Sequence, residues 1–194
     1  MAQKAAPKKG ERIDYVTALY DVARVINASL EPSHVLKEIV KCVTEAMDVK
    51  ACSLRLLASR GRTLEMGASY GLSGDYIDKG PIIVEESKVD QKVLRGRTIW
   101  LRDAQTDEHF QYRGKAKAEG IKSVLVLPLM VGKKAIGVLR VYTGDVRQFT
   151  ADEVKFLEAV ANLSAIAIDN AHHHAILKVN CDLMTEHKYR IDDN

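Results

Sequence analysis

The stretch Val124 to Tyr142, VLVLPLMVGKKAIGVLRVY, constrains the fold more than any other part of the chain. Two apolar runs of strand length flank a Gly-Lys turn, which predicts a buried β-hairpin. With Gly132 and Lys133 as a two-residue type II′ turn, glycine first, Leu129 faces Ile136 and Leu127 faces Val138. Pro128 has no N–H to give to a ladder, so a bulge or an unpaired position is expected in the first strand. In the second strand Arg140 shares a face with Ile136, Val138 and Tyr142. Gly137 lies on the other face with Ala135, Leu139 and Val141, where small residues would let a helix come close. Arg140 is therefore expected to point away from the helices.

The rest of the chain supplies those helices. Ile13, Val16, Leu19, Tyr20, Ala23 and Ile26 recur at three- and four-residue steps, giving an amphipathic helix. A second follows over SLEPSHVLKEIVKCVTEAM, with Pro32 in its first turn and Val35, Leu36, Ile39, Val40 and Val43 as its stripe. From Ala51 the period drops to two. Cys52, Leu54 and Leu56 take one face and Ser53 and Arg55 the other, so Ala51 to Tyr70 reads as a second hairpin. The middle is irregular: a loop with at most a helical turn over GLSGDYIDKGP, a short strand at IIVEE, a short helix at KVDQKVLRG ended by Gly96, and a strand at TIWLRD. A polar loop with a helical turn then closes at Gly120. Last comes a long helix, opened by Thr150 and Glu153 as a capping box. Helices bracket a strand-rich middle whose hairpin turns are too short for crossovers, which predicts an α+β fold: an antiparallel sheet with the terminal helices on one face.

The long helix carries more apolar surface than one partner requires. Phe156, Val160, Leu163 and Ala167 form one stripe, and Leu157, Ala161, Ser164 and Ile168 its neighbour, with a weaker continuation at Ile176, Leu177, Cys181 and Met184. A dimerising helix of signalling type fits this pattern; burial in a monomer is the alternative for Val154 to Ile168.

Composition sets the remaining bounds. The 194 residues suffice for one sizeable domain, and 46% hydrophobic with 28% charged residues describe an ordinary globular protein. The net charge of +3 neither demands nor excludes an anionic partner, and much of it sits in residues 1–12, read as a disordered basic head rather than a nucleic-acid arm. No apolar segment follows the N-terminal lysines and no run approaches the ~20 residues a bilayer needs. Cys42, Cys52 and Cys181 form no CxxC pair, as for free thiols in a reducing cytoplasm.

The segment Gly120 to Ala171 closely resembles the C-terminal half of a GAF domain: Pro-Leu within one strand, a Gly-containing turn, an IGVL strand, then FTADE opening a long helix. SLEPSHVLKEIV and ACSLRLL agree more loosely with the family's second helix and first strand. The resemblance implies a domain over 13–171 with a C-terminal helix extension and tail over 172–194. It also implies about six antiparallel strands, helices on one face, a loop-covered small-molecule pocket on the other, and dimerisation through the terminal helices.

Within that frame the chemistry candidates separate. One branch of the family reduces free methionine sulfoxide with pocket cysteines, but the three cysteines here fall on a helix, the first strand and the trailing helix, so that reading is remote. Phe149, Asp152 and Glu153 resemble part of a cyclic-nucleotide motif whose Asn-Lys partner is missing, and no pocket cysteine offers itself to a bilin. His172, His173 and His174 are consecutive on a helix and cannot converge on one ion. Asp103, Asp107, Glu108 and His109 are suitable ligand types that equally suit a solvated loop. No residue argues for haem, and the cofactor stays unknown. Pockets are mostly apolar with a few placed polar groups, and Tyr70, Tyr76, Trp100, Phe110 and Tyr112, with Arg113 and Arg140, supply such a set. That mix suits an anionic metabolite; the alternative is a small second core with cations around it. The expected function is a non-catalytic, cytoplasmic sensor domain acting through a homodimer and a separate effector, without direct nucleic-acid or membrane contact. A structural dimerisation module with a self-filled pocket is the second reading.

Overall fold

The computed structural model of the chain describes residues 15–28, 31–58 and 60–192. The basic head expected over 1–12, and Ile13, lie outside them. The elements run α1 (Tyr15–Ala28), α2 (Pro32–Ala46), β1 (Ala51–Leu57), β2 (Thr63–Tyr70), α3 (Gly74–Ile77), β3 (Ile82–Ile83), α4 (Lys88–Val93), β4 (Ile99–Leu101), α5 (Arg113–Glu119), β5 (Val124–Val131), β6 (Lys134–Tyr142) and α6 (Ala151–Asp192). Six strands form one antiparallel sheet in the order β3-β2-β1-β6-β5-β4. The expected α+β architecture is the one observed. No helix among the described residues is long and apolar enough to cross a membrane.

The sheet has two buried faces. On one, α1, α2 and α6 pack against Cys52, Leu54, Leu125, Leu127, Leu129, Leu139 and Val141. The α2 stripe does the most here: Val35, Leu36, Ile39, Val40 and Val43 are all buried, each burial worth about 1.5–3 kcal/mol. On the other face Val124, Val126, Val138 and Tyr142 meet the short elements α3, α4 and α5. The apolar stripe of α1 differs from expectation. Its buried residues are Ala18 and Val22, while Val16 and Tyr20 stay 77% and 68% exposed. The small side chains let α1 lie close to its neighbours, and Tyr15 stacks on Phe156 at 4.9 Å. The expected strand at IIVEE is also shorter, because the chain tightens into a 3₁₀ turn over Val84–Glu86 before Ser87 caps α4.

The start of α6 is fixed as its sequence predicts. The Glu153 backbone N–H donates to Thr150 Oγ1 at 3.2 Å, and Thr150 N–H donates to Glu153 Oε2 at 2.7 Å. Glu153 also pairs with Arg147, whose Nη1 donates to the Met47 carbonyl at 3.1 Å. One carboxylate thus ties the β6–α6 connection to the end of α2. Phe156, Leu157, Val160, Ala161, Ser164 and Ala165 are buried, whereas Ile166, Ile176, Leu177 and Val179 are 45–62% exposed.

The β5–β6 hairpin keeps its turn and loses its register. Gly132 has φ +58° and Lys133 has no positive φ, the signature of type II′ rather than I′. Val131 pairs with Lys134 and Met130 with Ala135, but the ladder then shifts between Leu129 and Met130. Leu129 opposes Gly137 instead of Ile136, and Leu127 opposes Leu139 instead of Val138. The irregularity expected in the strand of Pro128 falls instead on its partner: Pro128 pairs with Val138, and the extra residue is on β6. Ile136 takes the extra position and packs on the helix side, so it does not share a face with Arg140; Val138 and Tyr142 do. The reason for Gly137 changes too. A Cβ there would meet the Arg55 carbonyl oxygen at 2.3 Å and Leu129 Cδ1 at 3.1 Å, so the glycine is demanded by the backbone of β1, not by a helix. Gly137→Ala is expected to cost about 3 kcal/mol, read as a lowered urea midpoint.

Candidate functional site

The face of the sheet away from the long helices is not an ordinary core. Arg55 on β1 and Arg140 on β6 both project into it and are 1% and 2% exposed. The strand pairing explains this: Ser53 opposes Arg140 and Arg55 opposes Val138, so the polar positions of β1 and β6 share one face. Ser53 Oγ and Tyr142 Oη are hydrogen-bonded at 3.0 Å beside them.

Asp90, fully buried on α4, answers one arginine. Arg140 Nη2 donates to both of its carboxylate oxygens at 2.6 Å. Ser87 Oγ donates to Asp90 Oδ2 at 2.5 Å and accepts from Asp90 N–H at 3.3 Å, so the cap of α4 also orients the carboxylate. Burial pulls the Arg140 guanidinium down, but contact with Asp90 outweighs it and holds the group above its ordinary value. Phe110 lies under the guanidinium, 5.9 Å from Cζ. The space framed by Ile82, Ser87, Asp90, Phe110, Tyr112 and Arg140 leaves no room for a water.

Arg55 has no such answer. Its Nη1 donates to the Leu64 carbonyl at 3.3 Å, while Nε and Nη2 have no partner among the described residues. Burial lowers its affinity for the proton, and the like charge of Arg140 works in the same direction. Arg55 reaches a cleft of about 400 Å³ between Glu65 and Met66 of β2 and the turn Ile77, Asp78, Gly80 and Pro81. Lys79, in that turn, folds inward with Nζ 3.1 Å from the Tyr76 ring centre and 5.3 Å from that of Tyr112. Burial, then Arg55 and Arg140, push its ammonium down to about 6, against the favourable contact with the ring. Glu119 of α5 accepts from Ser73 N–H at 3.0 Å and from the Ser73 hydroxyl, holding α3 to α5 over the cluster.

Of the residues singled out from sequence, the fold brings Tyr76, Phe110, Tyr112 and Arg140 together. Tyr70, Trp100 and Arg113 are elsewhere. Tyr70 turns to the helix side, where its hydroxyl donates to Glu45 at 3.4 Å. Trp100 is 40% exposed and its indole donates to the Arg147 carbonyl at 3.1 Å, and Arg113 is exposed at the start of α5. Arg55, Lys79 and Asp90 were not singled out. Arg55 carried the same signal as Arg140, an arginine inside an apolar alternation, and Asp90 stands three residues after Ser87 in a capping pattern. Lys79 gave no signal within its Gly- and Pro-rich turn.

Other chemistries find little here. Among the described residues no group of three or more His, Cys, Asp or Glu is placed to hold a metal ion. Asp103 and Asp107 accept backbone N–H groups of Gln105 and His109 at 2.9 and 2.8 Å, structuring their own loop. Cys42 lies on α2, Cys52 is buried on the helix side with its thiol pushed up by burial, and Cys181 is exposed on α6.

The sequence model of the GAF domain family matches residues 31–168, most of the chain. The chain belongs to the GAF domain family. GAF domains serve as sensory and regulatory domains in signalling proteins. The formate hydrogenlyase transcriptional activator of Salmonella typhimurium is 24% identical over 168 residues, which cover 81% of this chain and 24% of that protein. This chain spans about a quarter of the length of the curated relatives it matches. The fold is shared with the GAF domain of a phosphoenolpyruvate-protein phosphotransferase from Coxiella burnetii, at TM-score 0.76 and 21% identity, covering 86% of this chain and 99% of that one. It is shared also with a free methionine-R-sulfoxide reductase from Neisseria meningitidis, at TM-score 0.72 and 16% identity, covering 88% and 98%.

Two outcomes test this site. Arg140→Met strands the Asp90 carboxylate and is expected to cost about 3–5 kcal/mol, most of it recovered in Arg140→Met/Asp90→Leu; chemical denaturation of the single and double variants measures it. Lys79 is neutral in the folded GAF domain above pH 6, whereas an unfolded lysine keeps its proton to about pH 10.4. The unfolded chain therefore binds more protons across that window, and this contribution to stability grows as pH rises through it. Lys79→Met should flatten the rise in a pH series of unfolding midpoints.

Proposed function

We propose that this chain is the sensory part of a regulatory system, binding a small molecule on the sheet face away from the long helices and passing its occupancy to an effector protein through α1 and α6. The observation that carries the reading is the buried cluster of Arg55, Lys79, Tyr76 and Arg140, in which several polar atoms have no partner among the described residues. A core evolved only for packing gains nothing from buried donors left unmade, each costing about 1–3 kcal/mol. The covering layer of short helices and turns suits a face that must admit a ligand. That relatives of this chain include transcriptional activators supports a regulatory rather than enzymatic role.

The placement of the cysteines speaks against sulfoxide reduction, because no two thiols lie in the cluster where an attacking and a resolving thiol would have to meet. Free thiols fit a cytoplasmic protein. The exposed apolar residues Val16 and Tyr20 on α1, with Ile166, Leu177 and Val179 on α6, suit a homodimer through the terminal helices.

A thermal-shift panel of neutral and charged metabolites on the full chain tests the sensor reading: at least one compound is expected to raise the unfolding midpoint, and none doing so sinks it. Light scattering is expected to give a dimer that Leu177→Asp converts to monomer. A wild-type monomer at high concentration removes the proposed route of output.

A further inference from the structure

Apart from Gln111 Oε1, an acceptor beside Phe110 and Tyr112, the unpartnered atoms of the cluster have one chemical character. Arg55 Nε and Nη2, Arg140 Nε and Lys79 Nζ are nitrogen donors, and the Tyr76 hydroxyl beside them is free to donate as well. Among the described residues Asp90 is the sole carboxylate buried with them, and its oxygens are taken by Arg140 and Ser87. The charge left over therefore belongs to Arg55, which is 1% exposed yet borders the cleft of about 400 Å³. A guanidinium with two unpartnered nitrogens beside such a cleft calls for an acceptor that is negative and planar or tetrahedral.

We propose that Arg55 anchors a small oxyanion, a carboxylate or phosphate group, at the floor of this cleft. Proton uptake at Lys79, whose ammonium nitrogen lies over the Tyr76 ring, is the expected consequence. The proposal rests on the sensor reading above and adds the ligand's chemistry. Arg140 is frame rather than anchor, since using it would strand Asp90.

The proton follows from what faces Lys79. Arg55 from β1, Arg140 from β6 and Lys115 from α5 oppose its charge; Glu119 from α5 favours it, and the rings of Tyr76 and Tyr112 flank it. Neutralising Arg55 removes one of the positive charges that oppose the Lys79 ammonium, so the ammonium is favoured. Above pH 6 the free protein holds Lys79 neutral, so binding consumes a proton and affinity falls as pH rises. Glu65 and Asp78 at the cleft place the ligand's anionic end inward, against Arg55, and its remainder toward the mouth.

The test is calorimetry and thermal shift on the full chain with acetate, succinate and inorganic phosphate, each against chloride at equal ionic strength, and with acetamide and succinamide as neutral isosteres. At least one anion is expected to bind, with about one proton taken up per anion, read from titrations at pH 7.5 in buffers of different ionisation enthalpy. The anion that binds tells carboxylate from phosphate. Arg55→Met should weaken that binding by about 10- to 100-fold while raising the unfolding midpoint of the ligand-free protein, because an uncompensated buried charge is gone. Lys79→Met, outside the regular elements, tests the site independently and should bind without proton uptake. Neutral isosteres binding as well as the anions overturns the proposal and leaves the sensor reading standing. So does an anion effect that survives Arg55→Met unchanged, or a lower ligand-free midpoint in that variant. No stabilisation by any compound of the wider panel overturns both.

Discussion

The ion pair between Arg140 and Asp90 organises everything on its side of the sheet. Arg140 stands on β6, between β1 and β5, and Asp90 comes from a six-residue helix that Ser87 starts. Taking both charges out of water is expensive, and the cost is recovered only when each oxygen and nitrogen is well met. Here both carboxylate oxygens are met, by two contacts from Arg140 and one from Ser87, while Arg140 Nε has no partner among the described residues. The pair therefore fixes where α4 sits, and α4 in turn sets the height of the covering layer. It also decides which cation of the cluster remains unanswered.

The opposite face has its own anchoring carboxylate. Glu153 closes the capping box of α6 and pairs with Arg147, which reaches the carbonyl at the end of α2. The two arrangements are neighbours in the chain: β6 bears Arg140, and seven residues further along, in the β6–α6 connection, Arg147 binds the helix layer. A rearrangement around Arg140 thus has a short, covalently continuous route to the base of α6, and Arg55 reaches it through the pairing of β1 with β6. Proximity of this kind is no measure of coupling, which needs an element with two states that both ends bias. The β6–α6 connection is where such an element would have to be.

What could be read from the sequence was what depends on near neighbours. The α2 stripe, the capping box at Thr150 and Glu153, the II′ turn at Gly132 and the left-handed close at Gly120 are all decided within a few residues. The hairpin register was not, because one residue of slip at the bulge turned Ile136 to the other face while leaving Arg140 where alternation put it. Gly137 was explained by the wrong neighbour, since the strand it accommodates enters the sheet from more than eighty residues earlier. Aromatic content gathered Tyr70 and Trp100 into a site they do not join; each had an ordinary partner, Glu45 and the Arg147 carbonyl, that only the tertiary fold supplies. Arg55 and Arg140 were equivalent as sequence signals, and what separates them is Asp90, distant in the chain from both.

The two readings of this face, a second core or a ligand pocket, are not opposed in volume. Tyr76, Phe110 and Tyr142 are buried as core aromatics, and Tyr76 meets the edge of Tyr142 at 6.0 Å and 80°. Apolar walls of that kind are also what ligand pockets are made of. The readings part on charge. A self-filled pocket should answer its own ions, as Asp90 answers Arg140. This face leaves Arg55 with two nitrogens unmet among the described residues and presses Lys79 toward neutrality. Packing can be complete while the electrostatics are not, and a buried positive charge next to a cleft is a standing cost that an anion from outside would remove.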